Sequence, residues 1–540
     1  MSTFLLSLLL LLAATPQQTT TPNPADLCTI QGVVIKAGTG EPLHKATVEA
    51  RVLGGPSQGI STMTDAMGRF ELKGLAPGQY RLSAKHNGFV TEEYGQQTLD
   101  GHETTLTLSS GQKVPEITFQ LIPAAAITGH VFDEDGEPLV GAYVLAMHFV
   151  YSMGRRELSY SRSAQTNDLG EFRIFGLSPG QYVVLATFEN NVSAKPTTRE
   201  GYVPIYFPGV PDVSRAAPIT VRGGDEFSGA DISLQPVRTV TIKGHIINAG
   251  CGASAMGPML ILENNSPDAT SQGGDFDTTA QGAFEIHKVI PGSYYLSAKI
   301  IGAGKQCFGR LALEVGDADI GGITINVTPG VELKGRLRVE GQLGSSLGSL
   351  NVILFPKGTD GTFRGVPTDS TKADGNFLLK NAYDGDYEIN VDNLPDNYFV
   401  KSARLDGIDV LSAGLTIDPR QAPGSLEIVV SPNGANVDGA ISKDQQPFQG
   451  ATVAIVPDAP HRGEKRLFKS TTTDQNGHFV LQGISPGDYR VFAWEKIDPA
   501  AYTSPEFLQP YEKLGESVHI TEGSRNSVQV DLIPAKDTNQ

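Results

Sequence analysis

Ten histidines are scattered along the chain, and none stands in a His-x-x-Glu or His-Glu-x-x-His pair. The ligands that zinc hydrolysis needs are therefore missing. There is no Gly-x-Ser-x-Gly elbow and no phosphate-binding glycine loop. With no nucleophile set beside a base and no metal cage, the sequence reads as non-enzymatic, with no catalytic site, no metal site and no cofactor. Asp133-Glu134-Asp135-Gly136 gathers carboxylates of the kind that hold calcium, but the same residues make a solvated turn between strands, which is the simpler reading. Binding chemistry is better represented. Flat rings stack on sugar faces, and Tyr202-Val203-Pro204-Ile205-Tyr206-Phe207-Pro208-Gly209 is an aromatic, proline-rich loop. Trp494, the single tryptophan, follows a Tyr-x-Val-x-Ala run, and strand alternation turns it away from the core that Ala493 faces. Tyr202, Tyr206, Phe207 and Trp494 are thus the candidate ligand-binding residues. The competing role for such rings is to cover a sandwich end or a domain junction.

The elements that must position these residues follow from a repeated phrase. In its first copy it runs from Thr64 to Tyr80, with Gly68, Phe70, Pro77, Gly78 and Tyr80 as landmarks. The later copies carry Gly170, Phe172 and Tyr182; Gly282, Phe284 and Tyr294; Gly375, Phe377 and Tyr387; and Gly477, Phe479 and Tyr489. From the first glycine, Phe lies two residues on, a second glycine ten and Tyr twelve, in all five copies. The fourth copy has Asp384 where the others have proline. The first glycines are 102, 112, 93 and 102 residues apart, so the unit is a whole domain. An Asp-x-x-Gly or Asn-Gly turn, an alternating Phe-x-Leu strand, a Pro-Gly turn and a Tyr-x-Leu-x-Ala strand together predict a β-hairpin. Each unit opens on a Gly-x-Val strand (Gly32, Gly129, Gly439, with looser versions at Gly244 and Gly335) and closes on an alternating strand such as Ile117-x-Phe119-x-Leu121. Roughly seven strands per unit predict antiparallel β-sandwiches. The fold class is all-β: a tandem array of five sandwiches over residues 28–124, 125–238, 239–331, 332–434 and 435–540. Short connections between them predict a semi-rigid rod.

Glycine contributes 61 of 540 residues and proline 34, and apolar residues make up 39 %. That suits many short strands joined by many turns rather than disorder. The net charge is −17 and no long basic run occurs, so a phosphate backbone is repelled and nucleic acid is excluded as a partner. Phe4 to Ala14 is an apolar run too short to span a bilayer, which predicts a signal peptide over residues 1–15 and a Pro/Thr-rich linker over 16–27. No other stretch is apolar enough to be transmembrane. The destination is therefore export, to the periplasm, the outer surface or the medium. There Cys251 and Cys307, which share the third unit, are a candidate disulfide, and Cys28 is left over.

The Gly-x-Val, Gly-x-Pro-Leu and Ala-x-Val opening, together with the Gly-x-Phe and Pro-Gly-x-Tyr phrase, resembles the carboxypeptidase regulatory-like domain, a transthyretin-like or starch-binding-like sandwich. The resemblance implies tandem modules of a secreted or surface protein; its starch-binding-like side implies carbohydrate as a ligand. The phrase is also similar to CnaB-type pilin sandwiches, in which a glutamate four residues after the tyrosine promotes an intramolecular Lys–Asn bond. Here that position holds Ala84, Ala186, Ala298, Val391 and Ala493, so that chemistry is not expected. Gly223-Gly224-Asp225-Glu226-Phe227 spells the diguanylate cyclase signature, but it falls at the turn before a closing strand with no α/β nucleotide fold around it and is read as a turn. Two functions stay open. One is a non-catalytic binding or adhesion protein, with polysaccharide as partner. The other is a structural spacer or envelope-assembly protein that meets other envelope proteins by strand addition.

Overall fold

The computed structural model describes residues 26–53, 59–96, 106–152, 154–188, 200–252, 257–264, 275–302, 305–341, 350–357, 364–421, 424–474 and 476–535. The leader expected over 1–15, and all of the linker but Asp26 and Leu27, lie outside them. The regular structure of the described residues is nearly all strand, with one short α-helix at Pro505–Leu508 and a few 3-10 turns.

One plan recurs in each copy of the repeat. The opening strand lies between the Phe-bearing strand, antiparallel to it, and the closing strand. In the first copy Cys28–Lys36 sits between Arg69–Leu75 and Lys113–Leu121. In the fourth, Val331–Val339 sits between Asn376–Ala382 and Ser425–Ser431. The closing strand runs parallel to the opening one in every copy, so the sandwiches are mixed rather than purely antiparallel as expected. A second layer forms around antiparallel pairs such as Thr47–Val52 with Gly78–Lys85 and Thr452–Pro457 with Gly487–Trp494.

The expected hairpin is corrected by this pairing. Arg69–Leu75 and Gly78–Lys85 are joined by the Pro-Gly turn, yet they do not pair, and neither do their counterparts; in four copies the two strands belong to different sheets, and in the third Ala283–Val289 and Gly292–Gly302 stand apart in one seven-stranded sheet. The turn is a corner between layers. Phe70, Leu72, Tyr80, Leu82 and Ala84 all face one core, so the two apolar faces are satisfied by opposing each other across the sandwich instead of lying edge to edge. The repeat tyrosine ties the corner. Its buried hydroxyl donates to the carbonyl four residues back in all five copies: Tyr80 to Ala76 at 2.8 Å, Tyr182 to Ser178 at 2.9 Å, Tyr294 to Ile290 at 2.8 Å, Tyr387 to Tyr383 at 2.9 Å and Tyr489 to Ser485 at 3.0 Å.

Two further recurring residues have structural work, one in the opening strand and one at the start of the phrase. The opening-strand glycine is always the cross-strand partner of the repeat phenylalanine: Gly32 of Phe70, Gly129 of Phe172, Gly244 of Phe284, Gly335 of Phe377 and Gly439 of Phe479. A Cβ on Gly335 would come within 2.1 Å of the Phe377 ring and one on Gly439 within 2.7 Å of the Phe479 ring, so the missing side chain is the slot that seats the ring. In three copies a buried threonine, Thr64, Thr166 or Thr473, accepts the N–H of Ala46, Ala142 or Ala451. Its hydroxyl donates to Leu43, Leu139 or Phe448 in turn. That pins the Pro-Leu loop to the glycine turn.

Each of the five copies encloses its own cluster of buried apolar side chains. The first, through Pro123, is a compact unit by itself, while those that follow are packed into a second unit. Within that second unit the hairpin of Tyr143–Ser152 and Arg155–Gln165 reaches the fifth repeat, where Tyr151 meets Phe507 edge to face at 5.6 Å. The second to fifth repeats thus fold back on themselves. The expected rod is corrected here, because this long hairpin buries its tip instead of leaving the modules end to end.

Candidate binding surfaces

The four aromatic residues singled out in the sequence are packing residues. Trp494 points away from the core of its repeat, as alternation requires, but it is only 2 % exposed. It lies in a separate cluster with Phe492, Ile497 and Leu508, under a cover of short helices at Ala501–Thr503, Pro505–Leu508 and Gln509–Leu514. Phe492 stacks on its ring at 5.3 Å and Tyr511 meets it edge-on at 6.0 Å. Tyr206 is 6 % exposed and seals the corresponding outer face of the second repeat together with Met147, Val183 and Leu185. Tyr202 and Phe207 are half-buried. The Tyr202 hydroxyl donates to Glu134 at 3.2 Å, its ring meets Phe188, and Phe207 meets Phe227. The chain therefore covers with its own loops the two ring faces that a sugar was expected to meet.

The remaining motifs resolve into local structure. Asp133 Oδ1 accepts the N–H groups of Asp135 and Glu137 at 3.0 and 2.9 Å, a turn that spends on backbone the oxygen a calcium ion would need. Among the described residues no group of three or more His, Cys, Asp or Glu is placed to hold a metal. In the Gly-Gly-Asp-Glu-Phe segment, Asp225 accepts from its own turn at Arg222, and Glu226 pairs with Arg173 at 3.1 Å. The positions where an isopeptide-promoting glutamate would sit, from Ala84 to Ala493, are buried opposite apolar residues such as Val48 and Val453. Cys251 and Cys307 form a disulfide with Cα atoms 5.9 Å apart, and Cys28 is buried and unpaired, its thiol donating to the Ser109 carbonyl at 2.9 Å.

The chemistry left at the surface lies around the fourth repeat. At its contact with the fifth, the Lys401 ammonium donates to Glu340 at 2.6 Å and to Glu522 at 2.8 Å, and Ser431 donates to Glu522 at 2.6 Å. These bonds hold the Lys401 pKa above its ordinary value and the Glu522 carboxyl below its own. Cavities of about 510 and 480 Å³ flank this contact. Burial lowers the pKa of Lys469, which lines the larger one.

At its contact with the third repeat lies a cavity of about 700 Å³ lined by Lys299, Arg364, Lys372, Leu378 and Lys380, with Asp369 as its one carboxylate. Arg364 is 6 % exposed and donates to the Tyr383 carbonyl at 2.9 Å and to the Asp384 carbonyl and the Tyr387 hydroxyl. It braces the corner that lacks the usual proline. Leu378 is shared with the outer face of the adjoining sheet. There it pairs with Lys334, and Arg336 and Arg338 follow along the same strand, all three exposed. The cations of this face alternate with buried residues and never form a run, so no charge cluster marks it in the sequence.

Several known proteins share parts of the chain. Serine-aspartate repeat-containing protein D of Staphylococcus aureus is 26 % identical over 175 residues, which cover 29 % of this chain and 12 % of that protein. The Bacillus anthracis TIE protein is similar over 74 % of this chain and 69 % of its own, at 12 % identity and a TM-score of 0.16. The minor pilin of Streptococcus agalactiae is similar over 39 % of this chain and 97 % of its own, at 15 % identity and a TM-score of 0.23. No helix among the described residues is long and apolar enough to cross a membrane. Two adjacent segments, residues 29–121 and 126–235, match the family model of the carboxypeptidase regulatory-like domain.

Proposed function

We propose that this chain is an exported, non-catalytic scaffold of five β-sandwich domains that works in adhesion at the cell surface, with polysaccharide as a ligand. The carrying observation is where the repeated residues go. Glycine slot, phenylalanine, threonine and corner tyrosine are each committed to the interior. What is copied five times is a module, and the outer faces are free to differ. The Cys251–Cys307 disulfide suits an oxidising compartment. Tyr206 and Trp494 supply no open ring, so sugar recognition here rests on polar and charged groups. Mild proteolysis of intact cells tests the reading: the chain should be digested from outside, and full protection until the envelope is broken would refute surface display.

A second reading, a structural partner of other envelope proteins, is favoured by one element. Arg155–Gln165 is the longest strand at a sheet edge among the described residues, 11 residues with no proline. Its outer side offers unpaired backbone groups for strand addition. Cross-linking from a photoreactive residue at Ser161 should then capture an envelope protein, whereas a purely glycan-binding role yields none.

A further inference from the structure

We infer that the outer sheet face of the fourth repeat and the cavity beside it form a binding site for an acidic polysaccharide, one bearing carboxylate or sulfate groups. The protein supplies its own comparison. In the first repeat the residue before the slot glycine, Gln31, pairs with Glu71 and donates to it at 2.9 Å. In the third, Lys243 pairs with Glu285 and forms an ion pair at 3.0 Å. The fourth keeps the cation, Lys334, but the residue across from it is Leu378. The neutralising carboxylate is replaced by an alkyl group while Arg336 and Arg338 extend the row. Lys299, Lys334, Arg336, Arg338, Lys372 and Lys380 form no ion pair with any described residue. Glu332, Glu427 and Asp409 are acids that share the face, where Arg404 stands between the last two, and Asp369 of the cavity accepts the Leu378 N–H at 2.6 Å.

In a chain of net charge −17 such a surplus of unpaired cations attracts an anion and little else. Residues i and i+2 of a strand lie ~6.7 Å apart on one face, so the row presents evenly spaced charges to an extended chain. The surroundings choose among polyanions. Single-stranded nucleic acid needs aromatic platforms for its bases, and protein interfaces centre on aromatic or apolar anchors. This face offers no ring, and its apolar members are Leu378 and Val429. Asn376, Ser425, Thr368 and Gln306 border the cations and can hydrogen-bond sugar hydroxyls. The inference deepens the polysaccharide reading above; surface display stands or falls without it.

Affinity electrophoresis of the full chain tests it, in gels containing polygalacturonate, heparin, dextran or single-stranded DNA. Retardation is expected in polygalacturonate or heparin, the stronger of the two telling carboxylate from sulfate. It should weaken with added salt and be absent in dextran. Leu378→Glu, which restores the carboxylate found in the first and third repeats, should weaken binding by about tenfold, as should Lys334→Gln/Arg336→Gln/Arg338→Gln. Arg215→Gln/Arg222→Gln/Arg238→Gln removes the same charge from the second repeat and should change nothing. The site is refuted by no retardation in either acidic gel, by equal loss in the second-repeat control, or by DNA binding that matches the polysaccharide. None of these results bears on digestion of the chain from outside intact cells.

Discussion

A glycine that seats a ring and a tyrosine that bonds backward across a corner explain why both residue types recur in all five copies. Gly439→Ala puts a methyl 2.7 Å from the Phe479 ring, and overpacking of this kind costs ~1–3 kcal/mol. The fifth repeat should therefore unfold at lower denaturant, read by the emission of Trp494, while Gly463→Ala, with nothing within 4 Å, should leave the midpoint in place. The corner tyrosines set an alkaline limit. Burial raises Tyr294 and Tyr489 from 10.0 to about 12. A phenol that is harder to ionise when folded contributes stability that is intact below pH 10.0 and lost as pH rises through about 12. The last part of the phenolate absorbance, that of the buried tyrosines, should therefore appear together with loss of the fold, and full ionisation in a folded chain would contradict the assignment. These roles were half legible in the sequence. The constant spacing marked the phenylalanine and the tyrosine, but Gly335 lies 42 positions before Phe377 and nothing in one sequence says that they touch.

At the scale of elements, alternation located the Phe-bearing, Tyr-bearing and closing strands but not their neighbours, and it passed over core strands such as Lys305–Val315 and Phe399–Leu405. Phe70 and Tyr80 face inward in a hairpin and in a corner alike, so the pattern did not distinguish them; pairing depends on the opening and closing strands, which are distant in sequence. Alternation also broke down at Val183, Leu185, Phe492 and Trp494, where apolar residues occupy the outer face because an inserted segment covers it. A loop rich in rings reads as a binding site and as a lid in equal measure, since both uses need flat apolar surface. The lid over Trp494 can be checked directly. Phe507→Ala removes a ring 6.2 Å from the indole and should shift its emission to the red with the β-sandwich signal unchanged. Emission that stays blue would mean that the helices do not shield it.

Across the molecule, the number of copies of the phrase and their intervals are legible in the sequence, but which copies meet is not. Contacts between repeats are made by residues that differ from copy to copy, such as Lys401 with Glu522, Tyr151 with Phe507 and Phe308 with Tyr383. The first of these carries a pH dependence. Glu522 is held below its ordinary 4.5 by Lys401 and Ser431, so its contribution is complete above pH 4.5 and is lost as pH falls through the lowered value. Acid should increase hydrogen exchange at Gly434 and Gly523 before it opens either core, and Glu522→Gln should remove that early step; equal exchange in both proteins at all pH values would discount the link. The contact between Tyr151 and Phe507 closes a loop in the chain whose contents are the third and fourth repeats. Force applied across the second and fifth repeats passes through that clasp first, leaving the enclosed repeats slack. When the clasp yields, their length is paid out before any sandwich has to unravel, which makes the hairpin tip a mechanical fuse. Tyr151→Ala should erase the earliest release of length in single-molecule stretching of the full chain, and an unchanged first event would place the yield point elsewhere.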